Sequence, residues 1–319
     1  MIDLEKSLPK ERKITLKLPG TTSNLGPGLD CIGLALNIYS KMSFFLLPEN
    51  DPGIPLITFK GSIAKSSLAQ DQGSLTYTIL SRLWQQNQNL LQRVRIVIDS
   101  EIPLGVGLGS SSTAILGALW AANVFKDVLP TAPELLAEAC ELEGYPESLA
   151  ACLLGNMVVC SPSAVDKRIV TQRLNWPSDW HLIVVSPQYT LTTPNARKTL
   201  PKEVKLDDAI HNVQKTALLV AAVVRSDDQA MREALSDRLH EPYRAKLVPE
   251  LSRLRQELAS EPIIGCVLSG AGSSVLVIVH KRSKAQVLAR VNAWAESEPK
   301  PPRVLDLQVD DEGIQELEI

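Results

Sequence analysis

Polar and apolar residues alternate from Lys13 to Leu18 and again from Arg93 to Asp99, where Val94, Ile96 and Ile98 share one face. A two-residue period predicts strands with one buried side. The first strand is expected to stop at Pro19-Gly20, and Ala35 to Leu47 reads as a further strand. From Thr113 to Phe125 small and apolar residues recur at helical spacing, so a buried helix should open directly out of the glycine-rich segment before it. The next helix carries its own boundary signals: Thr131 at the N-cap, Pro133 early in the helix, Glu134 as the third-residue carboxylate, and Gly144 to stop it.

In the second half, Leu182 to Val185 is a short buried strand and Asp207-Asp208 opens a long helix through Val224. Shorter helical patterns follow at Asp228 to Arg238 and Pro249 to Leu258. Ile263 to Leu268 and Ser274 to Val279 read as strands joined by Ser-Gly-Ala-Gly-Ser, and Ser283 to Ala295 as a last helix. Strands mixed with helices in both halves predict an α+β protein of two lobes, with Ser161 to Ser178 as the candidate linker. There is no internal repeat and no low-complexity segment.

Composition narrows the partners. A chain of 319 residues with 45% hydrophobic content can bury a substantial core, and a formal net charge of -3 without a Lys or Arg run offers no field for nucleic acid or membrane. The stretch Met1 to Lys13 lacks the apolar core of a signal peptide, and the longest apolar run, Leu218 to Val224, is too short to span a bilayer. A cytoplasmic protein acting on a small molecule is expected. Cys31, Cys140, Cys152, Cys160 and Cys266 stand singly among apolar neighbours and read as reduced core thiols.

The strongest local signal is Pro103-Leu-Gly-Val-Gly-Leu-Gly-Ser-Ser-Ser112. Glycines let backbone N–H groups turn inward, and a helix N-terminus adds unpaired donors and partial positive charge, so the segment suits a phosphate. It lacks the Lys of a Walker loop and the glycine spacing of a dinucleotide fingerprint. Taken alone, it reads equally well as a tight turn into a packed helix.

Two further segments change that balance. Pro19-Gly-Thr-Thr-Ser-Asn-Leu-Gly-Pro-Gly-Leu-Asp30, the glycine-serine loop and Leu268-Ser-Gly-Ala-Gly-Ser-Ser274 resemble, in this order, the three motifs of the superfamily of galactokinases, homoserine kinases, mevalonate kinases and phosphomevalonate kinases (GHMP kinases). Thr193-Pro-Asn-Ala-Arg197-Lys-Thr-Leu-Pro201 and Asp237-Arg-Leu-His-Glu-Pro-Tyr-Arg244 resemble homoserine kinases in particular, so the likeness covers nearly the whole chain.

The resemblance implies a ribosomal-protein-S5-domain-2-like N-terminal domain over residues 1–165 and a ferredoxin-like C-terminal domain over 166–319. It also implies a left-handed βαβ crossover in the first domain, where pattern alone favours the right-handed one. Pro103, Gly105, Gly107, Leu108, Gly109, Ser110, Ser111 and Ser112 would wrap the ATP phosphates. Ser111 and Glu143 would hold Mg²⁺, with Glu141, two positions away on a helix, the weaker candidate. Asp30 would take the ammonium of L-homoserine, and Arg197 and Arg244 its carboxylate, which suits arginine's planar fork. Asn24 and Thr193 add neutral hydrogen bonds and join Arg197 as the catalytic group. The reaction implied is ATP plus L-homoserine giving ADP and O-phospho-L-homoserine, a step towards threonine, in a homodimer.

The pattern departs at Gly144-Tyr145-Pro146-Glu147-Ser148, where homoserine kinases usually carry Gly-His-Pro-Asp-Asn. Ser148 is expected to lose a contact near the transferred phosphoryl group, and Ser148→Asn with Tyr145→His to raise kcat on homoserine in a homoserine kinase that runs below the family's rate. Ser74, Asn156 and Ser273 also replace the family's Asn, Gly and Pro. These departures leave open a kinase for another small alcohol, or a catalytically weak regulatory paralogue. The histidines, His181, His211, His240 and His280, fall on no motif position and read as structural or solvent-facing.

Overall fold

The computed structural model describes residues 12–48, 56–65 and 69–318. Nearly all of the stretch read for a signal peptide, and the side chain of Ser74, lie outside what it describes. In chain order the elements are β1 (Lys13–Ser23), β2 (Ile32–Leu46), β3 (Leu56–Lys60), α1 (Ala69–Leu83), α2 (Gln88–Arg93), β4 (Val94–Ser100), α3 (Ser110–Val124), α4 (Ala132–Glu143), α5 (Pro146–Leu154), β5 (Met157–Pro162) and β6 (Ile169–Leu174). There follow β7 (Trp180–Ser186), α6 (Thr193–Arg197), α7 (Leu206–Arg225), α8 (Asp228–Ala234), α9 (Glu241–Arg244), α10 (Pro249–Glu257), β8 (Ile263–Leu268), β9 (Val275–His280), α11 (Lys284–Ser297), β10 (Arg303–Leu307) and β11 (Gln315–Glu316).

The first sheet runs β11-β1-β2-β4-β3, and β5 pairs with the opening residues of β2 and carries β6 on its other side. Within it β3 and β4 are parallel, linked through α1 and α2, whereas β1, β2 and β4 pair antiparallel. The second sheet, β10-β7-β9-β8, is antiparallel throughout. Strands and helices mix in both parts, as an α+β protein requires.

Small residues along α3 let it lie close on the first sheet. Ala118 and Ala121 are fully buried in one cluster with Leu16, Leu18, Met42 and Phe44, and a Cβ at Gly117 would come within 2.8 Å of the Met42 sulfur. The following helix begins and ends as its residues predict. Glu134 accepts hydrogen bonds from the Thr131 backbone N–H at 3.3 Å and hydroxyl at 2.5 Å, and Gly144 caps the helix with φ 89°.

Three expectations need correction. Strand β1 does not end at Pro19-Gly20 but continues to Ser23 through a register shift there. Proline cannot donate to the ladder, so the strand bulges instead of stopping; beyond the bulge the Thr21 N–H bonds the Leu108 carbonyl at 3.1 Å. The supposed linker is largely the β5–β6 hairpin, a polar edge strand whose exposed faces hid its pairing. Helix α8 stops at Ala234, before Arg238, because Asp237 accepts the backbone N–H groups of Leu239, His240 and Glu241 and turns the chain.

Candidate functional site

One cavity of about 850 Å³ is lined by loops and helix ends from both halves of the chain. Its walls come from the loop after β1, the glycine-serine loop, the α4–α5 turn, the segment around α6, Arg244, and the loop between β8 and β9. Of the residues singled out in the sequence, Asn24, Asp30, Gly105, Gly107, Gly109, Ser110, Ser111, Ser112, Glu143, Thr193, Arg197 and Arg244 line it. Pro103 and Leu108 do not; Leu108 is buried in the hydrophobic cluster behind the loop, where its carbonyl holds Thr21. Glu141 is exposed and pairs with Lys167 at 2.8 Å.

The glycine loop is shaped by backbone conformation and close approach. Gly105, Gly107 and Gly109 all have positive φ, a region costly to residues with a Cβ. A Cβ at Gly107 would fall 2.3 Å from the Ser269 carbonyl oxygen, and one at Gly109 would fall 2.1 Å from the Thr21 hydroxyl. Gly109 is the N-cap of α3, so no side chain covers the first-turn N–H groups, and no acidic residue in that turn offsets the helix dipole. That end of the cavity is fitted for an anion.

The third glycine segment fastens the two halves together. Gly270 N–H donates to the Ser23 carbonyl at 3.0 Å and Ser274 N–H to the Val106 carbonyl at 2.9 Å. The Gly270 carbonyl accepts from Asn24 Nδ2 at 2.9 Å and from Arg244 Nη1 at 3.3 Å. Asn24 Oδ1 in turn accepts the Asp30 backbone N–H at 3.0 Å. Both ends of the Asn24 amide therefore shape the loop, in addition to facing the cavity.

Two arginines line the same cavity as the glycine loop. Arg244 is 1% exposed and, among the described residues, has no ion-pair partner; its Nε is unpartnered. Burial and the nearby Arg197 charge lower its pKa, with Asp30 among the charges that oppose the shift. His240 holds it in place, accepting from Arg244 Nη1 at Nδ1 (3.2 Å) and facing the Gly26 carbonyl with Nε2 (2.7 Å). His240, near Arg244 in sequence, thus has the structural role its sequence reading allowed, as the N-cap of the helix that carries Arg244. Arg197 pairs with Asp30 and stacks on the Tyr145 ring, its guanidinium carbon 3.3 Å from the ring centroid.

Glu143 closes the last turn of α4. Burial pushes its carboxyl up to about 7, the neighbouring Glu147 charge adds to this, and a hydrogen bond from Ser112 Oγ to Oε2 at 3.2 Å opposes it. Ser112 Oγ also lies 3.0 Å from Ser148 Oγ, which is 2.5 Å from Thr21 Oγ1. Glu147, buried in the first turn of α5, is likewise pushed up to about 7, chiefly by burial, and its Oε2 is unpartnered. Among the described residues no cluster of three His, Cys, Asp or Glu could cage a metal. One carboxylate with a neighbouring hydroxyl fits Mg²⁺, which keeps water and takes phosphate oxygens besides a few protein ligands.

The family model for the GHMP kinases N terminal domain matches residues 74–156 and that for the GHMP kinases C terminal domain matches 219–297. A homoserine kinase of Crocosphaera subtropica is 33% identical over 301 residues, covering 94% of this chain and 96% of the relative. One of Nostoc punctiforme is 34% identical over 301 residues, covering 94% and 97%. The chain belongs to the homoserine kinase family of GHMP kinases. Its fold is also that of the homoserine kinase structure from Cytophaga hutchinsonii, with a TM-score of 0.80, 22% identity and 97% and 98% coverage of the two chains.

Three of the departures from the family pattern gather on one turn. Tyr145, Glu147 and Ser148 all line the cavity, and each is engaged with, or lies close to, a candidate site residue: Tyr145 with Arg197, Ser148 with Ser112, Glu147 beside Asp30 and Arg197. Asn156 has φ 61° and binds the Trp176 N–H through Oδ1 at 2.8 Å, so the amide here supports a position that a glycine would also allow. Ser273 Oγ donates to the Tyr189 carbonyl at 2.8 Å.

Proposed function

We propose that this protein transfers the γ-phosphoryl group of ATP to the hydroxyl of L-homoserine, giving O-phospho-L-homoserine on the route to threonine. The observation that carries the reading is Arg244, buried, without an ion-pair partner among the described residues, and lining the same cavity as the glycine loop and Arg197. A buried guanidinium without a counter-charge is costly, and a substrate carboxylate would supply one. Asp30 answers the substrate ammonium from the same wall.

At the other end, the open N-terminus of α3 and Gly105 to Ser112 suit the ATP phosphates, and Leu75, Leu104, Ile115 and Leu142 give an apolar wall for the base. Ser111 and Glu143 would hold Mg²⁺, which when bound neutralises charge on the phosphates. The chain's own residues then do the positioning. Arg197 and Arg244 fix the carboxylate, Asp30 the ammonium, and Thr193, exposed at the start of α6, offers its hydroxyl to the reacting end, as does the remaining capacity of Asn24. Phosphoryl transfer asks little covalent chemistry of a protein, so alignment of hydroxyl and phosphate supplies much of the rate.

Purified protein assayed with ATP and Mg²⁺ against a panel of small alcohols should phosphorylate L-homoserine in preference to the others. Turnover confined to another alcohol would replace the substrate, and nucleotide binding without any turnover would replace the kinase reading by a regulatory one. We also propose a homodimer, checked by sedimentation, and a cytoplasmic location; no helix among the described residues is long and apolar enough to cross a membrane.

A further inference from the structure

Tyr145 stands between two constraints. The preceding Gly144 ends α4 in a left-handed conformation, and the following Pro146 opens α5 and disfavours helical backbone for the residue before it. Tyr145 is accordingly extended, with φ -137° and ψ 126°, and lines the cavity. Arg197, from the other side of the cavity, lays its guanidinium over the ring at 3.3 Å while one Nη pairs with Asp30. Its Nε is buried without a partner. A guanidinium stacked on one face and bonded at one Nη has little freedom left.

We propose that Tyr145 is a positioning residue: its ring holds Arg197 in the orientation that receives the substrate carboxylate. An arginine side chain carries about 2 kcal/mol of rotamer entropy, and fixing it before the ligand arrives removes part of that cost from binding. The stack thus replaces, by pre-orientation, whatever direct polar contact the family's histidine makes from this position. The inference rests on Arg197 being a carboxylate ligand, as proposed above.

The test compares Tyr145→Leu, which keeps bulk without a π face, with Tyr145→Phe, which keeps the face without the hydroxyl. Tyr145→Leu should raise the homoserine KM by about tenfold, the equivalent of roughly 1.4 kcal/mol for a partly desolvated cation–π contact. The ATP KM and the melting temperature should hold, and Tyr145→Phe should restore the homoserine KM to within about twofold of wild type. In an Arg197→Ala background, Tyr145→Leu should add nothing. Calorimetric titration with L-homoserine should give the same ranking independently of turnover.

Equal losses in the Phe and Leu variants would assign the effect to the hydroxyl and overturn the proposal. So would additive losses with Arg197→Ala, or a fall in melting temperature accompanied by a rise in both KM values. If wild-type protein binds homoserine and Tyr145→Leu binds it equally well, the proposal fails while the substrate reading stands. Absence of homoserine binding by the wild type removes both.

Discussion

Ser112 shows how one hydroxyl can decide where a carboxylate points. Each serine or threonine hydroxyl has a single proton, and Ser112 Oγ is the donor within reach of both Glu143 Oε2 at 3.2 Å and Ser148 Oγ at 3.0 Å, while Ser148 Oγ also meets Thr21 Oγ1 at 2.5 Å. These contacts cross three segments that the sequence keeps far apart. Ser112→Ala should therefore leave the fold intact, because position 112 is already in a small-residue helix, but free the Glu143 carboxylate to turn. The expected result is an increase of about tenfold in the Mg²⁺ concentration giving half-maximal rate at saturating ATP and homoserine, in keeping with a hydrogen bond to a charged group. An unchanged Mg²⁺ titration would mean that Glu143 is oriented by something else. The same geometry separates Ser148→Asn alone from the double change with Tyr145→His. Ser148 already binds hydroxyls on both sides, and a longer amide has to push between them. Ser148→Asn alone should lower turnover, and a rise in kcat would show that the family's residue still fits.

At the scale of the element, the α4–α5 turn brings together a helix end that carries the half-buried Glu143 and a helix start that carries the buried Glu147. Glu143 sits at the C-terminus of α4, where the helix dipole disfavours negative charge, and no basic residue in that last turn offsets it. Its pKa rises from an ordinary 4.5 to about 7. A carboxyl raised in the folded state favours the neutral form there, so its contribution to stability is complete below about 4.5 and is lost as pH rises through about 7. Glu143→Gln should accordingly raise the melting temperature of ligand-free protein at pH 8 and leave it unchanged at pH 4.5, while turnover falls by orders of magnitude for want of the carboxylate. Equal melting temperatures at pH 8 would show that the carboxylate is solvated. Helix α4 was readable in the sequence because its signals are local: Thr131, Pro133, Glu134 and Gly144 act within a few residues of themselves. The β5–β6 hairpin was not, since Ile169 to Leu174 is largely exposed and its pairing with Met157 to Pro162 leaves no alternation to read. Pro19-Gly20 looked like a stop because a bulge and an end carry the same residues.

For the whole molecule, the order of the three glycine segments identified the family, but nothing in their spacing showed that they touch. The contacts are between backbones: Gly270 N–H to the Ser23 carbonyl, Ser274 N–H to the Val106 carbonyl, Gly107 against Ser269 and Gly272. Backbone contacts leave little trace in side-chain pattern beyond the glycines themselves, and the same holds for His240, whose role depends on where Gly26 and Arg244 meet. Both halves of the protein build the cavity, so ligands that fill it should stabilise the whole, by about 2.7 kcal/mol at a hundredfold excess over Kd. Gly105→Ala and Gly107→Ala separate two ways of losing this. Both positions have positive φ, 67° and 81°, so both variants carry similar backbone strain. At Gly105 the new Cβ would meet the Thr190 side chain at 3.1 Å, which can move; at Gly107 it would meet the Ser269 carbonyl at 2.3 Å and the Gly272 carbonyl at 2.9 Å, which cannot without shifting the third segment. That segment holds Asn24 and Arg244 through the Gly270 carbonyl. Gly105→Ala should thus weaken the thermal stabilisation by ATP and spare that by homoserine, whereas Gly107→Ala should diminish both and lower the melting temperature of the free protein further. Matching melting curves for the two variants, with and without each ligand, would mean that local strain alone sets the cost and that the contact between the lobes does not couple the two ends of the cavity.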